Sequence, residues 1–368
     1  MSATNGTLPS THGSPPKDSK GWDGKLRVGR NATITNPEAL SDPDYSDEGA
    51  PPAAQIEADE GQLLFKAFQH LLEEYDSDAN DIDLVHCRIS SIPALRLERF
   101  TNLEKLCLRQ NQISHVELPS ALAPKLQDLD LYDNLISHLQ GLEHFTSLTS
   151  LDVSYNKIKH IKHLERLTEL KDLYFVQNKI QKIEGLEGLG RLRNLELGGN
   201  RIREIENLQT LTGLEQLWLG KNKITELKNL SPLTNLKVLS IQSNRLPTIQ
   251  GLENLANLEE LYISHNALTA ISGLERNPQL RLLEISNNQI AHLTGLEHLT
   301  HLEEVWASSN QLSSFEEVER QLADKKELST VYFEGNPLQT KNPVLYRNKV
   351  RLALPQVQQI DATFVRVS

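Results

Sequence analysis

The chain has 368 residues, with 38 Lys and Arg against 49 Asp and Glu, a formal net charge of −11 and an isoelectric point near 5.6. That balance argues against nucleic acid or an anionic membrane as the main partner, and no apolar run of about 18 residues or hydrophobic leader points to a membrane span or to export. Its two cysteines, Cys87 and Cys107, imply no disulfide framework and fit a reducing compartment.

Residues 1–55 are rich in Ser, Thr, Pro, Gly and Asp and poor in large apolar side chains, the composition of a disordered acidic tail. Ser41 and Ser46 stand there among Asp42, Asp44, Asp47 and Glu48, an acidic setting for phosphorylation. Residues 56–80 are read as an N-terminal capping helix and loop, because Leu64, Phe68, Leu71, Leu72 and Tyr75 recur at helical spacing. A solenoid's first repeat exposes its core unless something covers it. Asp76, Asp78 and Asn80 resemble the start of a calcium loop, but Asp81 and Cys87 fall where that loop requires Gly and Glu.

From 81 to 337 one frame, L-x-x-L-x-L-x-x-N-x-I, recurs about 12 times. Its polar position reads Cys87, Asn111, Asn134, Asn156, Asn178, Asn200, Asn222, Asn244, Asn266, Asn288, Asn310 and Asn336. Leu217 and Leu219 alternate with Gln216, Trp218 and Gly220, the period of a short strand with one buried face. One such unit cannot bury its leucines alone, so copies must stack into an α/β solenoid of leucine-rich repeats with a parallel sheet lining its concave side. The recurring Asn is expected to satisfy backbone groups at the turn, as a ladder. Seven residues later stand Gly141, Gly185, Gly251, Gly273 and Gly295, with His163, Asn207 and Asn229 replacing Gly in other repeats. These are residues that tolerate positive φ, so a left-handed turn is expected there. The longer step from Asn310 to Asn336 carries Phe315, Val318 and Leu322 at helical spacing, which predicts an inserted helix. Residues 338–368 read as a C-terminal cap.

The residue between the two buried leucines of each strand should face the inside of the arc. That column reads Asp83, Cys107, Asp130, Asp152, Tyr174, Glu196, Trp218, Ser240, Tyr262, Glu284, Trp306 and Tyr332. Asp81, Asp128, Asp172, Glu260, Glu304 and Glu334 flank it, against the bases Lys105 and Arg109. Solvation of a sheet accounts for the acids but not for aromatic side chains in water, and Trp and Tyr are the residues that most often anchor interfaces. The column therefore predicts a folded partner with a basic, partly apolar surface.

A unit reading I-x-x-I-x-G-L-E-x-L-x-x-L-x-x-L-x-L-x-x-N resembles the 22-residue, Sds-type leucine-rich repeat. The closing segment Glu334-Gly335-Asn336-Pro337-Leu338 with Tyr346 to Val365 is similar to that class's cap. Leu352-Ala353-Leu354-Pro355 and Gln359-Ile360-Asp361-Ala362-Thr363-Phe364-Val365 look like the regulatory subunit 7 family of protein phosphatase 1, over about residues 80–368. The resemblance implies docking of the phosphatase catalytic subunit on this column. Matching positions are Asp152, Tyr174, Glu196, Trp218, Glu284, Glu304, Trp306 and Tyr332, with Tyr174 and Trp218 standing where the family carries Phe. Asp130 and Tyr262 are added from chemistry alone. It further implies a non-catalytic monomer in nucleus and cytoplasm that holds and delivers the phosphatase, with a third, inhibitory protein joining some complexes. The alternative is another leucine-rich-repeat scaffold, a ribonucleoprotein component or a cytoskeletal adaptor.

No nucleotide, hydrolase or metalloprotease motif appears, so neither enzyme activity nor a cofactor is expected. His115, His138 and His160 share one offset in successive repeats. Lys182 follows them in that column, and a cation there opposes a metal, so no metal site is expected.

Overall fold

A computed structural model describes residues 68–365. The chain divides into two units, Met1–Pro51 and Pro52–Ser368. The tail over 1–55, with Ser41 and Ser46, and the predicted helix before residue 68 lie outside the described residues.

The described residues build one 14-stranded sheet in strictly sequential order. Twelve three-residue strands, β1 (Asp81–Asp83) to β12 (Thr330–Tyr332), are parallel; β13 (Gln359–Ile360) pairs parallel with β12 and antiparallel with β14 (Thr363–Phe364). Sequential order follows from the repeat, since each unit can bury its leucines only against the next. Register follows too. Strand centres Leu173, Leu195 and Leu217 pair directly, and all three are fully buried. On the back, leucines recur every third residue because the chain there makes i→i+3 turns. Leu167 N–H donates to Leu164 O at 2.9 Å and Leu170 N–H to Leu167 O at 3.1 Å. Leu, Ile, Val and Phe side chains from every repeat form one continuous core from Phe68 to Ile360.

The ladder asparagines bind two repeats together. Asn222 Nδ2 donates to Leu197 O (2.9 Å) in the repeat before and to Leu219 O (3.0 Å) in its own, while its Oδ1 accepts from Ile202 N–H at 3.0 Å. The offset seven residues on is left-handed, with φ of 72° at Gly251, 64° at His163 and 58° at Asn207. A Cβ on Gly251 would sit 2.7 Å from Leu227 O. A second left-handed position, just before each ladder Asn, is not signalled by residue type. It is held by Tyr155 (φ 57°), Lys221 (55°) and Ser243 (57°), among others. Their N–H groups donate to the following repeat, Tyr155 to Val176 O at 2.7 Å and Lys221 to Gln242 O at 2.8 Å. Inter-repeat hydrogen bonds thus hold a conformation that these side chains would not choose alone.

At the N-terminal end, Phe68 is helical and a short 3-10 turn, Gln69–Leu72, follows it, with turns and bends from there to β1. Phe68 and Leu72 are buried as expected. Tyr75 leaves the helical path because its hydroxyl donates to Asp83 O (3.0 Å) and accepts from Asp83 N–H (3.1 Å), capping the open edge of β1. The expected insertion is helix α1, Phe315–Leu322, capped by Ser314 Oγ on Glu317 N–H at 3.1 Å. Helices α2 (Pro337–Thr340) and α3 (Pro343–Ala353) follow. Asp361 Oδ1 accepts from Phe333 N–H (2.9 Å) and Glu334 N–H (3.0 Å), and Tyr346 Oη donates to Asp361 Oδ2 at 2.9 Å, so the cap closes the last repeat with a carboxylate.

Candidate protein-docking face

The strand register stacks the predicted column without a break: Asp83, Cys107, Asp130, Asp152, Tyr174, Glu196, Trp218, Ser240, Tyr262, Glu284, Trp306 and Tyr332 pair in succession. Nine of the ten predicted site residues therefore share one line, and Glu304 stands beside it, two residues before Trp306 on β11 (Glu304–Trp306).

Exposure along the line is uneven. Asp152 is 7%, Glu196 8%, Glu284 8% and Ser240 1% exposed, while the aromatic side chains are half-buried. Several of the acids on this line also serve the backbone. Asp130 Oδ1 accepts from Tyr132 N–H (3.0 Å), Asp152 Oδ1 from Ser154 N–H (2.9 Å) and Glu284 Oε1 from Ser286 N–H (3.1 Å). Each carboxylate turns over the strand end and takes up the N–H two residues on. Burial raises the pKa of Asp130 and Glu284, and burial together with the neighbouring Asp130 charge raises Asp152 to about 6.

The aromatics are held in two groups. Trp218 and Tyr262 stack at 6.1 Å between ring centroids across Ser240, whose small side chain lets rings two repeats apart meet over it. Tyr262 Oη donates to Glu260 Oε2 at 2.7 Å. In the second group Trp306 meets Tyr332 edge-on at 5.5 Å and donates Nε1–H to Glu304 Oε2 at 2.8 Å. Tyr332 Oη accepts from Gln359 Nε2 at 2.6 Å. In both groups the acid two residues earlier on the same strand orients the ring. Pre-oriented rings bury area on a partner with little further loss of rotamer freedom.

Column reading missed one cluster. Arg109 bonds Asp130 Oδ2 at 2.9 Å and lies 4.1 Å from the Tyr132 ring centre, and Tyr132 packs on Tyr155 at 4.8 Å. Tyr132 stands two positions before its ladder Asn and Tyr155 one, so no single offset collects them. The left-handed backbone at Tyr155 brings them together. Of the histidine row, His115 and His138 bond Ser114 and Ser137, and His160 Nδ1 meets Glu184 Oε1 at 2.9 Å. Among the described residues no His, Cys, Asp and Glu grouping suits a metal ion.

Family models described as leucine-rich repeats match residues 101–158, 190–232 and 234–276. The chain is 63% identical over 322 residues, 87% of its length and 96% of the relative's, to a protein of Schizosaccharomyces pombe named protein phosphatase 1 regulatory subunit SDS22. The Saccharomyces cerevisiae protein of that name is 50% identical over 86 residues, 23% of this chain and 25% of the relative. The human protein phosphatase 1 regulatory subunit 7 is 63% identical over 46 residues, 12% of each chain. Among solved structures, an internalin (InlF) of Listeria monocytogenes covers 82% of this chain and 95% of its own at a TM-score of 0.63 and 22% identity, a likeness of fold alone. A leucine-rich-repeat protein of Leptospira interrogans covers 72% of this chain and 73% of its own at 0.57 and 26% identity.

Proposed function

This chain belongs to the SDS22 family of protein phosphatase 1 regulatory subunits, and on that premise we propose that it docks the phosphatase catalytic subunit on its sheet face. The docking residues are Asp152, Tyr174, Glu196, Trp218, Glu284, Glu304, Trp306 and Tyr332, extended by Asp130 and Tyr262. One observation carries the reading: Trp218 with Tyr262, and Trp306 with Tyr332, form two half-buried aromatic platforms on one acid-lined column, each with a glutamate fixing a ring. A solenoid gains nothing in its own core from Trp on that face, whereas a basic, partly apolar partner gains anchors and register. The chain contributes no chemical step in this reading. It holds the phosphatase and controls its maturation, localisation or activity in nucleus and cytoplasm, as a monomer, with a third inhibitory protein joining some complexes.

The test is calorimetric titration of purified catalytic subunit, metal-loaded and metal-depleted, into wild-type chain and into Trp218→Ala and Trp306→Ala variants. Each substitution should weaken binding by about 2 kcal/mol or more with unchanged circular dichroism. Normal binding by both variants would remove the column as the interface, and no binding by wild type would remove the partner.

A further inference from the structure

Along the edge where the strands end, next to the ladder, the charge pattern reverses. The residue after the ladder Asn is Lys157, Lys179, Arg201, Lys223 and Arg245 in five successive repeats. The backbone stacks them in one row. Lys157, Lys179, Arg201 and Lys223 each donate N–H to the preceding repeat at 2.8 Å, and Arg245 does so at 2.9 Å. At the spacing of about 4.8 Å between strands, the row spans roughly 20 Å. Before it the position holds Gln112 and Leu135, and after it Ala267, Gln289 and Gln311, so the row has definite ends.

Its surroundings carry the same sign. Residues 154–159, 176–181, 198–203, 220–225 and 242–247 contain no Asp or Glu, in a chain where acids outnumber bases 49 to 38. They add Lys159, Arg203 and Lys221 to the five. Lys157, Arg203, Lys221 and Arg245 are exposed, and the other four are partly exposed. Gly198, Gly199 and Gly220 put no side chain of their own beside Arg201 and Lys223, and the Gln177 and Gln242 amides lie over Gly199 and Gly220.

The opposite edge, where the strands begin, is built differently. Its groove is also lined by Lys171, Arg191, Arg193 and Lys237, but Glu215 lies among them and further acids stand close by. Glu215 lies 3.7 Å from Arg193 and 2.9 Å from Lys237, Glu169 pairs with Arg191, and Arg281 lies between Glu259 and Glu303. Arg191, Arg193, Lys237 and Arg281 on that edge thus have acidic partners of their own.

We propose that the basic row is a second docking site, for an acidic peptide segment in extended conformation. About six extended residues match its length. The Gln177 and Gln242 side-chain amides beside the bases are of a type that can donate to a peptide's carbonyls and carboxylates. A long nucleic acid or an anionic bilayer would meet the acidic sheet face next to the row and the net charge of −11, whereas a short segment meets only the row. The site is separate from the aromatic column and does not depend on what binds there.

The test uses the full chain and a fluorescein-labelled hexaglutamate peptide, read by anisotropy at low salt, with hexaglutamine and a six-nucleotide single-stranded DNA as comparisons. Hexaglutamate should bind, and weaken about tenfold when salt rises from about 50 to about 200 mM. The variant Lys179→Glu/Arg201→Glu/Lys223→Glu should lose at least about tenfold, while Arg191→Glu/Arg193→Glu/Lys237→Glu, of equal net charge, should change binding less than about twofold. Should the first variant unfold by circular dichroism, Lys179→Gln/Arg201→Gln/Lys223→Gln replaces it. No hexaglutamate binding, equal loss in both charge-reversed variants, or tighter binding of the oligonucleotide would each overturn the proposal.

Discussion

Asp152 is a charged side chain that is 7% exposed, accepts one backbone N–H and lies in register with Asp130. Its pKa stands near 6 in the fold, against about 3.9 in an unfolded chain. The folded state therefore holds the proton more tightly. The contribution to stability is full below about pH 4 and is lost as pH rises through about 6. Asp152→Asn keeps an acceptor for Ser154 N–H and removes the charge. It should gain on wild type by up to about 2 kcal/mol as pH rises from 4 to 7, read from melting curves across that range. A difference that does not vary with pH would show that Asp152 is not held near 6. Binding should respond with the opposite sign, because a cationic partner needs the ionised carboxylate: affinity should fall as pH drops through about 6.

At the scale of the repeat, a single amide does the joining. Asn222 makes its bonds on both sides of a repeat boundary from a position 8% exposed, and Leu in its place leaves Ile202 N–H, Leu197 O and Leu219 O to find other partners. Each stranded buried group costs about 1–3 kcal/mol, so Asn222→Leu should destabilise the solenoid by about 3 kcal/mol or more, despite being more apolar. Denaturant melts of wild type and variant would measure it, and superimposable curves would remove the ladder from the account of stability. The ends obey the same bookkeeping with different residues. Tyr75 covers the edge of β1, and Asp361 serves Phe333 and Glu334 beyond the last Asn. Both are outside the repeat frame, because an end has no further copy to pair with.

Over the whole repeat unit, charge is sorted by surface. The sheet face is acidic with aromatic platforms, the edge after the strands carries Lys157 to Arg245, and the edge before them alternates in sign from Arg193 to Glu303. A period of 22 residues makes this sorting inevitable once one residue type is repeated at one offset, since each offset becomes a row. An acidic face steers a basic partner over distances that salt screens. The association rate of the phosphatase catalytic subunit should fall several-fold between about 50 and about 300 mM salt, with dissociation changing less. Stopped-flow measurement checks this, and a salt-independent association rate would leave the acids with only their backbone role.

The sequence by itself determined the solenoid, the strand register, the ladder, the left-handed turn at Gly251 and its equivalents, the helix over 315–322 and the membership of the acidic and aromatic column on the sheet face. Each of these repeats at a fixed offset, and a fixed offset becomes a spatial row when strands stack one per unit. Only the tertiary structure decided what the rows do. It turned Asp130, Asp152 and Glu284 onto backbone N–H groups, set Trp218 on Tyr262 across Ser240, and gathered Arg109, Tyr132 and Tyr155 from three repeats and two offsets. Those contacts depend on rotamers, on small residues between large ones and on left-handed backbone at non-glycine positions. The left-handed position recurs in every repeat, but the residue types that meet there follow no period, so reading along the chain could not supply these contacts.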